Sequence, residues 1–291
     1  MDIFVQLLMN SLQISSVYIL FSLGLTLVFG VMRVVNFAHG EFFTFVLLLM
    51  SACIAAASSA HLPVLAVYGL ATTVSIGATL VLGKLLYEYA FRRFQRDMVG
   101  SFVLSVGLSL LIQGILLEVF GGAPRKLPGL IDGTVNILGG AITIERLVLS
   151  GLAIVVAAGM CLFIAYTRFG KALRAVAEDH EAAMLQGIPY RRIAQYGFLC
   201  AALLAAVAGA LMAPVSVVTP VIGNSYLIKG FIAIVIGGLG SIPGAILGSV
   251  ILAVIEGVGG FYFDPTTASI AVFVIAVLVL LVRPKGLLGN G

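Results

Sequence analysis

The sequence has no tryptophan, only three histidines and three cysteines, and charge on just 10% of its 291 residues. Each scarcity excludes something. A soluble globular chain carries roughly 25% charge. Here 61% of residues are hydrophobic, and the mean hydropathy is +1.19. A sphere of this size cannot hide so much apolar surface. A soluble enzyme, a nucleic-acid-binding domain and a disordered chain are therefore excluded, and the solvent must be a bilayer. A span takes about 20 residues, which gives about eight to ten spans in one membrane domain covering 1–291. Cys53, Cys161 and Cys200 lie inside apolar runs with no CxxC spacing, so they read as small buried hydrophobes. They offer neither a disulfide framework nor a metal site. Met1-Asp2-Ile3-Phe4 has no basic stretch ahead of an apolar core, so the N-terminus reads as a retained first span.

Nine apolar segments can be drawn, at about 7–30, 42–59, 63–83, 99–120, 147–166, 194–215, 226–238, 243–260 and 268–282. Runs such as Phe45-Val46-Leu47-Leu48-Leu49-Met50 do not alternate in polarity, so helices are predicted and not barrel strands. The fold class is all-α, a polytopic transmembrane helix bundle with broken or re-entrant helices. Lys and Arg set the orientation. With the N-terminus outside, twelve of the sixteen basic residues fall on the cytoplasmic side: Arg33, Lys84, Arg92, Arg93, Arg96, Arg168, Lys171, Arg174, Arg191, Arg192, Arg283 and Lys285. Arg125, Lys126, Arg146 and Lys229 fall outside. The expected topology is N-out, C-in.

Two loops are long enough for structure of their own. The outer one, about 121–146, is rich in Gly and Pro, including Gly133 and Gly139, and reads as turns with a short hairpin. The inner one, about 167–193, contains a charged helical stretch from Lys171 to Gln186, stopped by Gly187 and Pro189. Eight of the 28 charged residues lie between Arg168 and Arg192. Small residues recur every four positions at Ser101/Ser105/Ser109, at Gly197/Ala201/Ala205/Gly209/Ala213 and at Gly240/Gly244/Gly248. That spacing puts each set on one helix face and lets backbones approach in lipid. Gly77 to Lys84 resembles a phosphate loop, but Leu85 stands where Ser or Thr is needed. Gly238 to Gly244 lacks dinucleotide spacing, so no nucleotide or nucleic-acid site is expected in this chain.

Three constellations interrupt the apolar pattern. In Val35-Asn36-Phe37-Ala38-His39-Gly40-Glu41-Phe42-Phe43, polar residues alternate with phenylalanines that suit a solvated loop poorly. A helix broken at membrane depth is predicted, with Glu41 as a cap for the following helix and Asn36, His39 and Glu41 beside a polar pathway. The second is Ile236-Gly237-Gly238-Leu239-Gly240-Ser241-Ile242-Pro243-Gly244, read as helix, break, helix, with Pro243 in a first turn. Gly237, Gly238 and Ser241 are its pathway candidates. The third is Glu178-Asp179-His180-Glu181 with Ala182, Ala183 and Gly187, whose acidic cluster fits a protein partner better than an anionic leaflet. Gln113, Glu118 and Glu256 are isolated polar groups within spans. Glu118 and Glu256 are placed toward the outer ends as solvated or snorkelling carboxylates. No Asp/Glu/His chain suits a proton relay, so the energy source lies outside this chain.

At these residues the sequence resembles the branched-chain amino acid ABC-importer permeases of the LivH type. The matching segments are Gly24 to Gly30, Val35 to Glu41, Thr167 to Glu178, Glu181 to Ile188, Gly237 to Gly244 and Leu281 to Leu287, in the family's order. The resemblance implies an inner-membrane permease of a bacterium, paired with a second homologous permease of the LivM type. It also implies two cytoplasmic ATPases carrying ATP and Mg, and a periplasmic substrate-binding protein. Glu181-Ala182-Ala183 with Gly187 looks like an EAA-type segment fitting the ATPase groove, with Glu178 beside it. The Ile-x-Leu-Pro continuation of that pattern is missing, so the likeness stops at Gly187. The chain itself is expected to be no enzyme, with no catalytic residue and no cofactor of its own. The alternatives are a permease for urea or short amides, and a stand-alone channel or facilitator for a small neutral solute. A membrane enzyme would need clustered catalytic groups, and only His39 with Glu41 comes near that.

Overall fold

A computed structural model describes residues 2–57, 62–94, 97–137 and 140–289. Arg96, Gly139 and the end of the second predicted segment lie outside these residues. Nine apolar helices answer the nine predicted segments: α1 (Asp2–Met32), α2 (His39–Ala57), α3 (Val64–Tyr89), α4 (Met98–Phe120), α5 (Ile144–Tyr166), α8 (Tyr190–Met212), α9 (Ile222–Gly237), α10 (Ile242–Tyr262) and α11 (Pro265–Val282). Two short helices, α6 (Arg168–Glu178) and α7 (His180–Leu185), stand between α5 and α8. Among the described residues, seven helices are long and apolar enough to cross a membrane, and α9 and α11 are shorter. The molecule is thus a polytopic helical bundle, with no closed sheet among the described residues.

The axis of the bundle is α1, which packs against α10, α8, α5 and α9. Its middle and end are apolar on most sides, with Leu20, Phe21, Leu23, Leu25, Leu27 and Val28 all buried, while Asn10, Gln13 and Ser16 put polar groups along its first half. By contrast, α4 and α5 leave Leu110, Leu111, Ile115, Leu152 and Val155 exposed. An outward face of that kind is stable only against acyl chains, because water would charge about 25 cal/mol for each Å² of it. The stripe on α11 is Ala268, Val272 and Ala276, all buried at every fourth position.

Small residues make the contacts that lipid does not drive. The set from Gly197 to Ala213 is buried along α8, and a Cβ added at Gly209 would come within 2.9 Å of the Phe43 carbonyl oxygen. A Cβ at Gly248 would come within 2.0 Å of the Ala233 carbonyl oxygen, where α10 crosses α9. The third predicted set needs correction. Gly240 is not on the helix with Gly244 and Gly248; it lies in the preceding turn with φ +83°. Outside the helices, the 121–146 loop does form a hairpin, with β2 (Thr134–Ile137) antiparallel to β3 (Gly140–Thr143). Its first part, β1 (Arg125–Lys126), pairs instead with β4 (Val217–Val218) after α8.

Gly248→Val therefore forces α9 and α10 apart, at a cost of about 1–3 kcal/mol for overpacking. The thermal midpoint of the detergent-solubilised protein is expected to fall. Gly151→Val is the control, because no atom beyond its own stretch of helix lies within 4 Å of a Cβ built there, and its midpoint should not move.

Candidate translocation path and coupling segment

The first break follows from the end of α1. Arg33 closes that helix, its amide donating to the Phe29 carbonyl at 2.8 Å, with a left-handed φ of 52°. Residues 34–38 are non-helical, and α2 begins at His39. His39 lies under Gly24, where a Cβ would come within 2.8 Å of its ring. Gly24 precedes Met32 by eight residues, so the chain has climbed back about 12 Å into the bundle before α2 starts. The backbone there is covered by protein, as irregular structure in hydrocarbon must be. At this level α2 also crosses the start of α9. The Gly223 amide donates to Thr44 Oγ1 at 3.0 Å, and a Cβ on Gly40 would come within 2.7 Å of the Gly223 carbonyl oxygen.

Asn36, His39 and Glu41 are all buried there, at 1%, 0% and 1% exposure. Asn36 Oδ1 accepts from the Ala38 amide at 3.0 Å, and its carbonyl accepts from the His39 amide at 3.2 Å. The turn into α2 is thus held by Asn36. Glu41 is not the cap predicted for it: it reaches sideways, and Oε1 accepts from Ser109 Oγ on α4 at 2.9 Å. Ser105 of the same stripe serves this region too, its Oγ donating to the Val35 carbonyl at 3.3 Å, while Ser101 Oγ donates to the Phe94 carbonyl ahead of α4. Four polar atoms of this stretch make no hydrogen bond of standard geometry among the described residues: Asn36 Nδ2, both ring nitrogens of His39, whose ring has only a looser approach to the Phe21 backbone, and Glu41 Oε2. Each such group costs about 1–3 kcal/mol, so four together in one spot call for water or a ligand. Phe21 and Phe42 meet the His39 ring edge-on, with centroids at 4.8 and 6.2 Å.

The second break is built differently. Gly238 and Gly240 take φ values of +115° and +83°, which only glycine adopts without strain. Ser241 Oγ then caps α10, accepting from the Gly244 amide at 3.2 Å, with Pro243 in the first turn as predicted. The carbonyls left over at the end of α9 are taken by the chain's own C-terminal segment. Leu287 and Leu288 donate their amides to Ile236 and Gly237, each at 2.8 Å. The fold does not bring the two breaks together. Gly223 touches Gly40 at one end of α9, and Gly237 is fourteen residues further on, about 21 Å away.

The candidate coupling segment is two helices, not the single one predicted from Lys171 to Gln186. Asp179 is extended, at φ −148° and ψ 107°, and its Oδ1 accepts from the amides of Ala182 at 3.0 Å and Glu181 at 2.9 Å. An aspartate gains more as the N-cap of α7 than as an interior residue of α6. The stop at Gly187 is as predicted. With φ +81° there, Ile188 donates to the Ala183 carbonyl and Gly187 to that of Met184, each at 3.0 Å, the paired pattern of a glycine-terminated helix. Leu173, Val176 and Ala183 face inward, while Glu178, Glu181, Ala182, Met184 and Leu185 face out. Arg33 ties α6 to the first break, its guanidinium donating to the Ala177 and Glu178 carbonyls at 3.3 and 3.2 Å.

One feature escaped sequence reasoning. Lys229, counted among the outer basic residues, lies within α9, and Glu256 is not a free snorkelling group. They form an ion pair with side-chain exposures of 29% and 16%. Tyr18 Oη, midway along α1, donates to the other carboxylate oxygen at 2.5 Å. The signal was present in the sequence: Lys229 falls inside the apolar segment drawn at 226–238, and so could not also be solvated. Among the described residues, no three His, Cys, Asp or Glu side chains cluster as metal ligands.

Residues 7–282 match the protein family described as "Branched-chain amino acid transport system / permease component". The chain is 31% identical over 299 residues to the high-affinity branched-chain amino acid transport system permease protein BraD of Pseudomonas aeruginosa, covering 99% of this chain and 96% of that one. It is 32% identical to the corresponding LivH protein of Salmonella typhimurium over 303 residues, and 31% identical to that of Escherichia coli K12 over 297. Both matches cover 99% of this chain and 96% of the relative. No solved structure gives a significant match.

The Asp179 cap is testable by pH. Accepting from the Ala182 and Glu181 amides holds its carboxyl below the usual carboxylate range. Its contribution is present above the unfolded value and is lost as pH falls through the lowered folded one. Hydrogen exchange at the Glu181 and Ala182 amides should stay slow at neutral pH and speed up in Asp179→Ala. Asp179→Asn, which still accepts, should keep most of the protection.

Proposed function

Because the chain belongs to the branched-chain amino acid transport permease family, we propose that it forms the membrane passage of an importer for leucine, isoleucine and valine. The importer is driven by MgATP hydrolysis in two separate cytoplasmic ATPase subunits. A periplasmic binding protein delivers the amino acid, and a second permease of the same kind completes the passage. Residues 1–291 act as one permease domain in a bacterial inner membrane, with the N-terminus outside and the C-terminus inside. The observation that carries this reading is the match to permeases along nearly the whole chain.

Asn36, His39 and Glu41 are the pathway residues this reading favours, because their four unpaired polar atoms sit where α1 and α2 leave the backbone open. Gly237, Gly238 and Ser241 serve as a hinge at the far end of α9, held by the C-terminal segment. The docking surface for an ATPase is the outward face of α6 and α7: Glu178, Glu181 and Ala182, with Leu185 at 87% exposure, and Ala183 and Gly187 shaping the turn. An exposed leucine one helical turn after Glu181 is costly in water and suits a partner's groove. Force on α6 reaches the pathway through Arg33, whose guanidinium holds the end of α6 and whose backbone lies three residues before Asn36.

With the complete transporter in proteoliposomes, Glu181→Ala and Gly187→Val are expected to leave assembly intact. ATP hydrolysis should persist while leucine uptake falls. Wild-type uptake in both variants would defeat the coupling role. A purified permease pair that moves leucine without ATPases would instead favour a facilitator. Cysteines placed at Asn36 and His39 should react with water-soluble reagents in one nucleotide state and not in the other. Equal protection in every state would remove them from the path.

A further inference from the structure

The Lys229–Glu256 pair is larger than a structural contact requires. Two charges inside a bundle cost several kcal/mol each to desolvate, and a well-packed apolar pair would serve packing as well or better. Charged groups retained within apolar helices face a watery cavity or a partner, not lipid. Glu256 borders two cavities at once, and Lys229 one of them. One, of about 220 Å³, is walled by Gln13, Ile14, Val17, Tyr18, Met212 and Tyr226 and reaches Glu256. The other, of about 160 Å³, holds Lys229 and Glu256 beside Ser225 and Ser269. Each is far larger than the 10–15 Å³ that one water needs. The first is mostly apolar and aromatic, with Tyr18 and Tyr226 meeting edge-on at 5.9 Å.

We infer that Lys229 and Glu256 form a binding site for an α-amino acid zwitterion with an uncharged, aliphatic side chain. This rests on the importer reading above and names the site within it. The substrate carboxylate pairs with the Lys229 ammonium, and the substrate ammonium pairs with Glu256, whose second oxygen is already held by Tyr18. The side chain enters the cavity lined by Ile14, Val17, Met212 and Tyr226. A zwitterion carries two charges that must both be met when water is stripped away. An ion pair that opens to admit it exchanges one pair for two, with no change in net charge. The flexible stem of Lys229 permits that opening, while Tyr18 keeps the carboxylate in place. Unlike a neutral amide or urea, a ligand with both charges uses every group in the site.

The test is uptake of radiolabelled leucine by the complete transporter in proteoliposomes, with ATP hydrolysis followed in parallel. Glu256→Gln and Lys229→Gln are each expected to lower uptake by about tenfold or more, in line with losing one partner of a desolvated charge pair. Basal hydrolysis and assembly should persist. The reversed pair, Lys229→Glu with Glu256→Lys, keeps an ion pair between the same helices and guards against misfolding. It should not restore uptake, because Tyr18 and the apolar cavity then flank the wrong charge. Wild-type uptake by either single variant, or by the reversed pair, would show a structural pair only and overturn the site while leaving the importer reading standing. A wild-type complex that takes up no leucine, isoleucine or valine would overturn that reading, and the site with it.

Discussion

In hydrocarbon no water waits to accept a stray hydrogen bond, so every polar group must find its partner inside the protein. The rest of this structure depends on that constraint. It explains why the bundle is helical, since helices settle their own backbone. It explains the seriousness with which each break is closed: Asn36 turns the chain into α2, and the C-terminal segment supplies Leu287 and Leu288 amides to the end of α9. Where the constraint is not met, among Asn36, His39 and Glu41, the exception becomes informative. The Thr26, Ser75 and Ser150 hydroxyls are scattered cases, but Asn36, His39 and Glu41 hold four such atoms within six positions, a concentration that calls for water or a polar ligand.

The second consequence concerns contact distance. Helices in lipid gain little by merely being apolar, so they gain by coming close. Gly24 admits the His39 ring, Gly40 and Gly223 let α2 cross α9, and Gly244 and Gly248 let α10 lie along α9. These glycines set where polar groups can be placed. Without Gly24, His39 could not be packed against the middle of α1, and the first break would remain at the surface.

Much of this was legible from composition and spacing. Nine apolar segments became nine helices, and both breaks fell where polar residues or glycines interrupted the pattern. Gly187 ended its helix as predicted. What sequence reasoning missed was pairing across the fold. Asp179 stands among good helix formers, and only its two amide contacts reveal that it starts a new helix. Glu41 stands where a cap would stand, but Ser109, 68 residues away, claims it. Lys229 and Glu256 are 27 residues apart and unremarkable singly, and Tyr18 joins them from 238 residues before Glu256. Periodicity reports which face a residue occupies, not which residue of another helix meets it.

The ion pair and the buried His39 cluster are also connected. Tyr18 meets Tyr226, Tyr226 meets Phe43 at 4.3 Å, Phe43 meets Phe21 at 5.8 Å, and Phe21 meets His39 at 4.8 Å. An aromatic wall therefore runs from one polar station to the other. Such a wall suits a ligand with an apolar body and polar ends, because the rings carry the body while a polar group at each station takes the charges. A purely polar channel would pass water and ions as readily. A purely apolar one would strand the charges, at a cost no side chain could offset. Alternation of the two is the arrangement that amphipathic amino acids require, and α1, central to the bundle, contributes Tyr18 at one station and Phe21 beside the other.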